Sequence, residues 1–258
     1  MKLAADNLHA LNPQVAQAIR DMDPGPVREM VQRCTLPGVD WIDINPGYLS
    51  KRHEDRMAFL VETVEAVTDR GLILDSPNPR VLARGLSVCR KTPILSALSL
   101  EPHKIDGMLP LAVEYRTPLV VLLMDERSRV PVSVEERLAL AIQLREAAVT
   151  AGIPSHRLIF DPVLPNLSWP DAQRHLREVI RTVRLLSGWS IFSEPVRTMV
   201  GLSNLRSGLR KKYPVEVEWQ CLAVLAGAGL DTVLADTVQP GFLTFYETLK
   251  NLVADGEP

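Results

Sequence analysis

VDWIDINPG (39–47) decides the fold. It is an apolar run too short for a helix, and it ends on Asp43, Asn45 and a Pro-Gly turn signal. The design recurs in LILDS (72–76), PILSALS (93–99), LVVLLMD (119–125), RLIFDPV (157–163), TMVGLSN (198–204) and DTVLADT (231–237), with KLAAD (2–6) ahead of them. Helical patterns lie between, among them HEDRMAFLVETVEAVTDRG (53–71) and VEERLALAIQLREAAVTAG (134–152). Pro131 and Ser133 mark the start of the second, Glu136 completes a capping-box pattern, and Gly152 is placed to end it. The strands are apolar without strict alternation, as parallel strands covered on both faces are. Eight strand–helix units in 258 residues predict a single-domain α/β fold, a (β/α)8 TIM barrel over 1–258. The competing architecture, an open doubly wound sheet, announces itself with a glycine-rich first turn, but the first turn here reads DNLHALNP (6–13).

Composition narrows the function. Hydrophobic residues make up 46% and charged residues 23%, an ordinary globular balance. A net charge of -2 argues against nucleic-acid binding, which wants a clustered excess of Lys and Arg. No apolar run reaches the roughly 18 residues of a membrane span. The opening MKLAADNLHALNP lacks the apolar core of a secretory signal, so a cytoplasmic protein is expected. Cys34, Cys89 and Cys221 lie far apart with no CxxC pair, and they read as buried thiols rather than as ligands of zinc or an iron–sulfur cluster.

Polar residues fall at the strand ends. Asp6, Asp43 with Asn45, Asp75 with Asn78, Asp125, Asp161, Asn204 and Asp236 close seven strands, and Ser96, Ser99 and Glu101 close the fourth. In a parallel barrel these ends converge on one mouth, where barrel active sites sit. Asn78, Asp125 and Asp236 have a competing role as caps of the following helices. Asp43, Asp75 and Asp161 lie inside apolar runs and are followed closely by Pro, so they belong to the strands. Such a cup suits a hard cation, or a heterocycle with N–H and NH2 donors that ionised Asp accepts and Asn reads in mixed fashion. Residue types alone leave both guests open.

DINPG (43–47), LDSPNP (74–79), PILSALSLE (93–101), LIFDPVLP (158–165) and GLSN (201–204), in this order, resemble the methyltetrahydrofolate:corrinoid (iron–sulfur) protein methyltransferases of the pterin-binding barrel superfamily. The resemblance runs from about residue 18 to the last strand. It implies methyl transfer between N5 of (methyl)tetrahydrofolate and the cobalt of a corrinoid, a cobalamin carried on a partner protein, and it implies a homodimer. Asp75 and Asp161 match the pterin-binding aspartates, Asp43 and Asn45 the DxN pair of the second strand, and Asn204 the asparagine that reaches N5. Ser96 and Asn78 complete the implied folate contacts. The catalytic role falls to Asn204, because the amine leaving group needs a hydrogen bond that tightens in the transition state.

The sequence departs from that family in two places. Ser96 stands where the family carries Asn, and ADNLHA (5–10) stands where it reads ERxNG. These departures keep open a folate-binding homologue with reduced catalysis. Dihydropteroate synthase fits less well, since GLSNLRS (201–207) replaces its GxSRK-like segment. His53, His103 and His175 are expected on solvated helix faces, His156 at the far end of the barrel, and His9 at the mouth. Arg206, Arg210, Lys211 and Lys212 are expected in a solvated loop, with the folate tail or an acidic partner as the alternative. LPNLSWPDAQ (164–173) is expected to be a functional loop.

Overall fold

The computed structural model describes residues 1–50, 52–188, 190–194 and 196–254. Its eight strands are β1 (Lys2–His9), β2 (Trp41–Asn45), β3 (Gly71–Asp75), β4 (Ile94–Leu98), β5 (Leu119–Leu122), β6 (Leu158–Asp161), β7 (Arg197–Gly201) and β8 (Thr232–Ala235). They pair in chain order, all parallel, and β8 returns to β1 to close the barrel. Around it lie α1 (Pro13–Asp21), α2 (Pro24–Cys34), α3 (Asp55–Glu65), α4 (Pro79–Leu86), α5 (Pro102–Glu114), α6 (Val134–Thr150), α7 (Ala172–Ser187), α8 (Glu216–Gly227) and α9 (Phe242–Val253). The (β/α)8 barrel expected from the sequence is the fold observed. No helix among the described residues is long and apolar enough to cross a membrane.

Local chemistry sets the helix starts. α1, α2, α4 and α5 each begin with Pro after Asn12, Asp23, Asn78 or Glu101, a pairing that uses proline where no backbone donor is missed. The side chains of Asn12, Asp23 and Asn78 accept the next free N–H groups. The Ser133–Glu136 capping box forms at the head of α6, and Gly152 follows α6 at φ 95°, a left-handed position that suits glycine.

The core has two layers. The larger fills the space between sheet and helices. The smaller lies inside the barrel, where Ala4, Trp41, Ile73, Ile94, Val120, Ile159, Met199 and Leu234, one from each strand, pack together with Ala97 and Leu122. Trp41 fits because its β3 neighbour is Gly71, where a Cβ would stand 2.4 Å from the indole Cδ1. Strand side chains alternate, so the inward positions two residues further on are Asp6, Asp43, Asp75, Ser96, Leu122, Asp161, Gly201 and Asp236. The apolar layer is therefore the floor of the polar cup.

β1 runs on to His9, three residues past the expected end, because its register slips between Ala5 and Leu8. Asn7 in this irregular stretch ties the barrel seam. Its Nδ2 donates to Asp236 Oδ1 (2.6 Å), and its Oδ1 accepts from the N–H and hydroxyl of Thr237 (3.1 and 3.0 Å).

Candidate active site

Five carboxylates line the inner wall at the strand ends: Asp6, Asp43, Asp75, Asp161 and Asp236, the last bound by Asn7. Asp75 is held by the Asn45 amide, which donates to its Oδ2 at 2.7 Å, and by the Ser96 hydroxyl on the paired strand. Asp43 lies lower, at the level of Ile73 on β3, and its Oδ1 is buried with no hydrogen-bond partner. Asp161 Oδ1 accepts the Val163 N–H at 2.7 Å and fixes the start of the following loop. Asp6 is buried on β1 and accepts a bond from Ser203.

Their electrostatics follow from burial. Desolvation pushes Asp6 and Asp161 up to about 7. Asp43 and Asp75 are also raised, first by burial, and Asp43 further by the charges of Asp75 and Asp6. Like charges set around one ring oppose joint ionisation, and a guest with N–H donors relieves that opposition. Among the described residues no three or more His, Cys, Asp or Glu side chains gather as a metal-ion site. The carboxylates are spread around the wall, as the edge of a flat heterocycle requires.

Asn204 follows β7 in a short 3-10 turn, Leu202–Leu205. Its side-chain amide folds back over Gly201, with Nδ2 3.7 Å from where a Cβ of that residue would stand. Gly201 is the inward residue at the end of β7, so its missing side chain leaves room for the amide at the barrel mouth. The 164–173 stretch forms most of the loop between β6 and α7, and it leans on this turn. Asn166 Nδ2 donates to the carbonyls of Asn204 (3.1 Å) and Ser207 (2.9 Å). A cavity of about 540 Å3 opens beside Asn204, lined by Met124, Val163, Trp169 and His175 among others.

Several residues depart from expectation. Of the two roles expected for Asn78 the structure shows the cap: its Oδ1 accepts the Arg80 N–H at the head of α4. Asp125 does not cap α6. It binds the Arg127 and Arg129 N–H groups and the Arg129 guanidinium, because Ser133 already serves that helix. Asp236 does not cap α9, since Asn7 claims it. His175 is buried rather than solvated, with its Nδ1 3.0 Å from Arg137 Nη2 and its ring edge-on to Trp169. Arg206 is buried and paired with Glu218 at 2.8 Å, whereas Arg210, Lys211 and Lys212 are exposed as expected. Cys34 and Cys221 are buried, and Cys89 is half-buried. His9 stands half-buried at the mouth, where its Nδ1 accepts the Leu11 N–H. Sequence reasoning gave Asp6 no site role and missed Arg137, which lies in α6 as an ordinary helical arginine.

The chain is similar to known proteins over most of its length. The pterin binding enzyme family matches residues 20–234. A curated relative, the methylcorrinoid:tetrahydrofolate methyltransferase of Eubacterium limosum, is 22% identical over 92% of this chain and 85% of its own. Solved structures share the fold. Dihydropteroate synthase from Xanthomonas albilineans, in complex with 7,8-dihydropteroate, superposes with a TM-score of 0.70 at 19% identity, over 99% of this chain and 94% of its own. The 7,8-dihydropteroate synthase of Vibrio fischeri gives 0.67 at 14% identity, with 99% and 94% covered. With a carboxylate-lined barrel mouth and a match over most of its length, the chain belongs to the pterin binding enzyme family.

Proposed function

We propose that the protein transfers a methyl group between N5 of tetrahydrofolate and a corrinoid cofactor carried by a partner protein. The observation that carries this reading is the Asn204 amide, folded over Gly201 at the end of β7, in a barrel whose strands β2, β3 and β6 carry the carboxylates Asp43, Asp75 and Asp161. The name of the Eubacterium limosum relative supports it.

The residues present fit a pterin. Its N–H and NH2 edge offers donors, and Asp75 and Asp161 are acceptors when ionised. Asn45 and Ser96 hold Asp75 in place, and the unpartnered Oδ1 of Asp43 takes a further donor. The apolar layer below keeps water from the underside of the ring. Asn204 then hydrogen-bonds N5, and that bond strengthens as charge develops there. A corrinoid supplies the cobalt with which the methyl group is exchanged. The chain's own work is to orient the folate and stabilise N5.

Calorimetry with tetrahydrofolate and a spectral assay with methyltetrahydrofolate and reduced free cobalamin test this reading. Asn204→Ala is expected to slow transfer by about 10²–10³-fold, the usual range for one such donor, while leaving tetrahydrofolate binding within a few-fold. Absence of transfer, or a variant as fast as the parent, refutes it. One observation favours a second reading. Ser96 pairs with Asp75 across the β3–β4 ladder, and its short hydroxyl stands where the family carries Asn. Tight tetrahydrofolate binding without turnover would identify a binding homologue.

A further inference from the structure

Arg137 belongs to none of the machinery above, yet it is among the largest fully buried side chains of the molecule. It rises from α6 beneath the β6–α7 loop. Its Nη1 donates to the Pro162 carbonyl, one residue after Asp161. Its Nη2 lies 3.0 Å from His175 Nδ1, and its Nε is buried without a partner. A guanidinium only donates, so His175 Nδ1 must accept and the ring proton sits on Nε2. His175 in turn lines the cavity beside Asn204.

We propose that Arg137 is a positioning residue: from below the loop it holds Pro162 and His175, so that Asp161 meets a ligand as a carboxylate and His175 turns an Nε2–H donor toward the cavity. The inference rests on the pterin reading of the Asp161 wall. Around Asp161, Arg137 on α6 favours the ionised form, as does the Val163 N–H, whereas Asp75 on β3 and burial oppose it. Around Arg137 stand Asp161, Glu178 and His175 on α7, and Glu136 on its own helix. A residue that served packing alone would leave Asp161 and the His175 tautomer indifferent to its charge.

The test is NMR on the ligand-free protein, following the Asp161 carboxyl carbon and the His175 ring nitrogens against pH, with tetrahydrofolate calorimetry alongside. In Arg137→Gln the Asp161 midpoint is expected to move to higher pH. For a rise of about one pKa unit from a midpoint near 7, the ionised fraction at pH 7 drops from about a half to about a tenth, so tetrahydrofolate affinity there is expected to fall about fivefold. Arg137→Lys keeps the charge but loses the two-pronged fork, so Asp161 is expected to titrate near its original midpoint while His175 loses its single tautomer. An unmoved Asp161 midpoint in Arg137→Gln overturns the inference. If that variant does not fold, Arg137→Lys decides, and an unchanged His175 nitrogen pattern overturns it. If Asp161 moves as expected but the parent protein binds no tetrahydrofolate, the pterin reading fails and the hold of Arg137 on Asp161 stands.

Discussion

Replacing Asp161 with Asn in the ligand-free protein is expected to stabilise it at every pH above the ordinary carboxyl range, and increasingly so up to neutrality. Burial lifts the Asp161 carboxyl from 3.8 to about 7, so between those values the folded state keeps a proton that the unfolded chain has released. Stability therefore falls as pH rises through this window, the reverse of the usual salt-bridged carboxylate. At ~1.4 kcal/mol per pKa unit, the full penalty is on the order of 4 kcal/mol. About 3 kcal/mol of that falls between pH 5 and pH 8. Asparagine keeps the acceptor for the Val163 N–H, which is 2.7 Å from the carboxylate, so the loop anchor survives the change. Urea unfolding at pH 5, 6.5 and 8 reads the difference directly. The variant is expected to match the parent most closely at pH 5 and to exceed it increasingly toward pH 8. Parallel pH profiles for the two proteins would refute the claim that burial of Asp161 outweighs the support that Arg137 and the Val163 N–H give its carboxylate. Asp6, also raised to about 7, keeps part of the pH dependence in the variant, so its profile is expected to flatten rather than vanish.

Two further outcomes follow from packing. Arg206→Met leaves Glu218 buried without its hydrogen-bonded partner, and loss of one partner of a buried pair is expected to cost about 3–5 kcal/mol, read as a lowered urea midpoint. Arg206→Met combined with Glu218→Leu is expected to recover most of that loss. Gly71→Val drives a side chain into the Trp41 indole and is expected to destabilise by about 1–3 kcal/mol, with Trp41→Leu in the same chain restoring part of it; additive losses would show that the two sites do not touch.

The barrel was legible because each strand and each helix start is written locally. The apolar runs, the Asn-Pro and Asp-Pro starts and the Ser133–Glu136 box all depend on residues a few positions apart. The wall of Asp43, Asp75 and Asp161 was legible for the same reason, since strand-end position sets which side chains share a mouth. What could not be read depends on long-range covering. Arg137 and His175 lie in helices with ordinary polar patterns, and they are buried only because the 162–171 loop folds across them. Arg206 sits in a run of cations, and Glu218 two turns of chain away draws it inside. Asp125 and Asp236 were ambiguous between caps and site residues, and each took a third role fixed by a neighbour that spacing does not reveal: its own turn for Asp125, and Asn7, 229 positions earlier, for Asp236.

That seam between the first and last strands has a consequence for how the protein comes into being. Asp6 arrives with β1, but Asp236, the carboxylate whose charge bears on it and the partner that fixes Asn7, follows β8. During synthesis the inner wall stays open on one side until β8 has emerged. A ligand of the mouth can then reward the finished barrel, yet it cannot guide the early strands together. Assembly must rest on the apolar layer beneath, and the chemistry above it becomes available in a single late step.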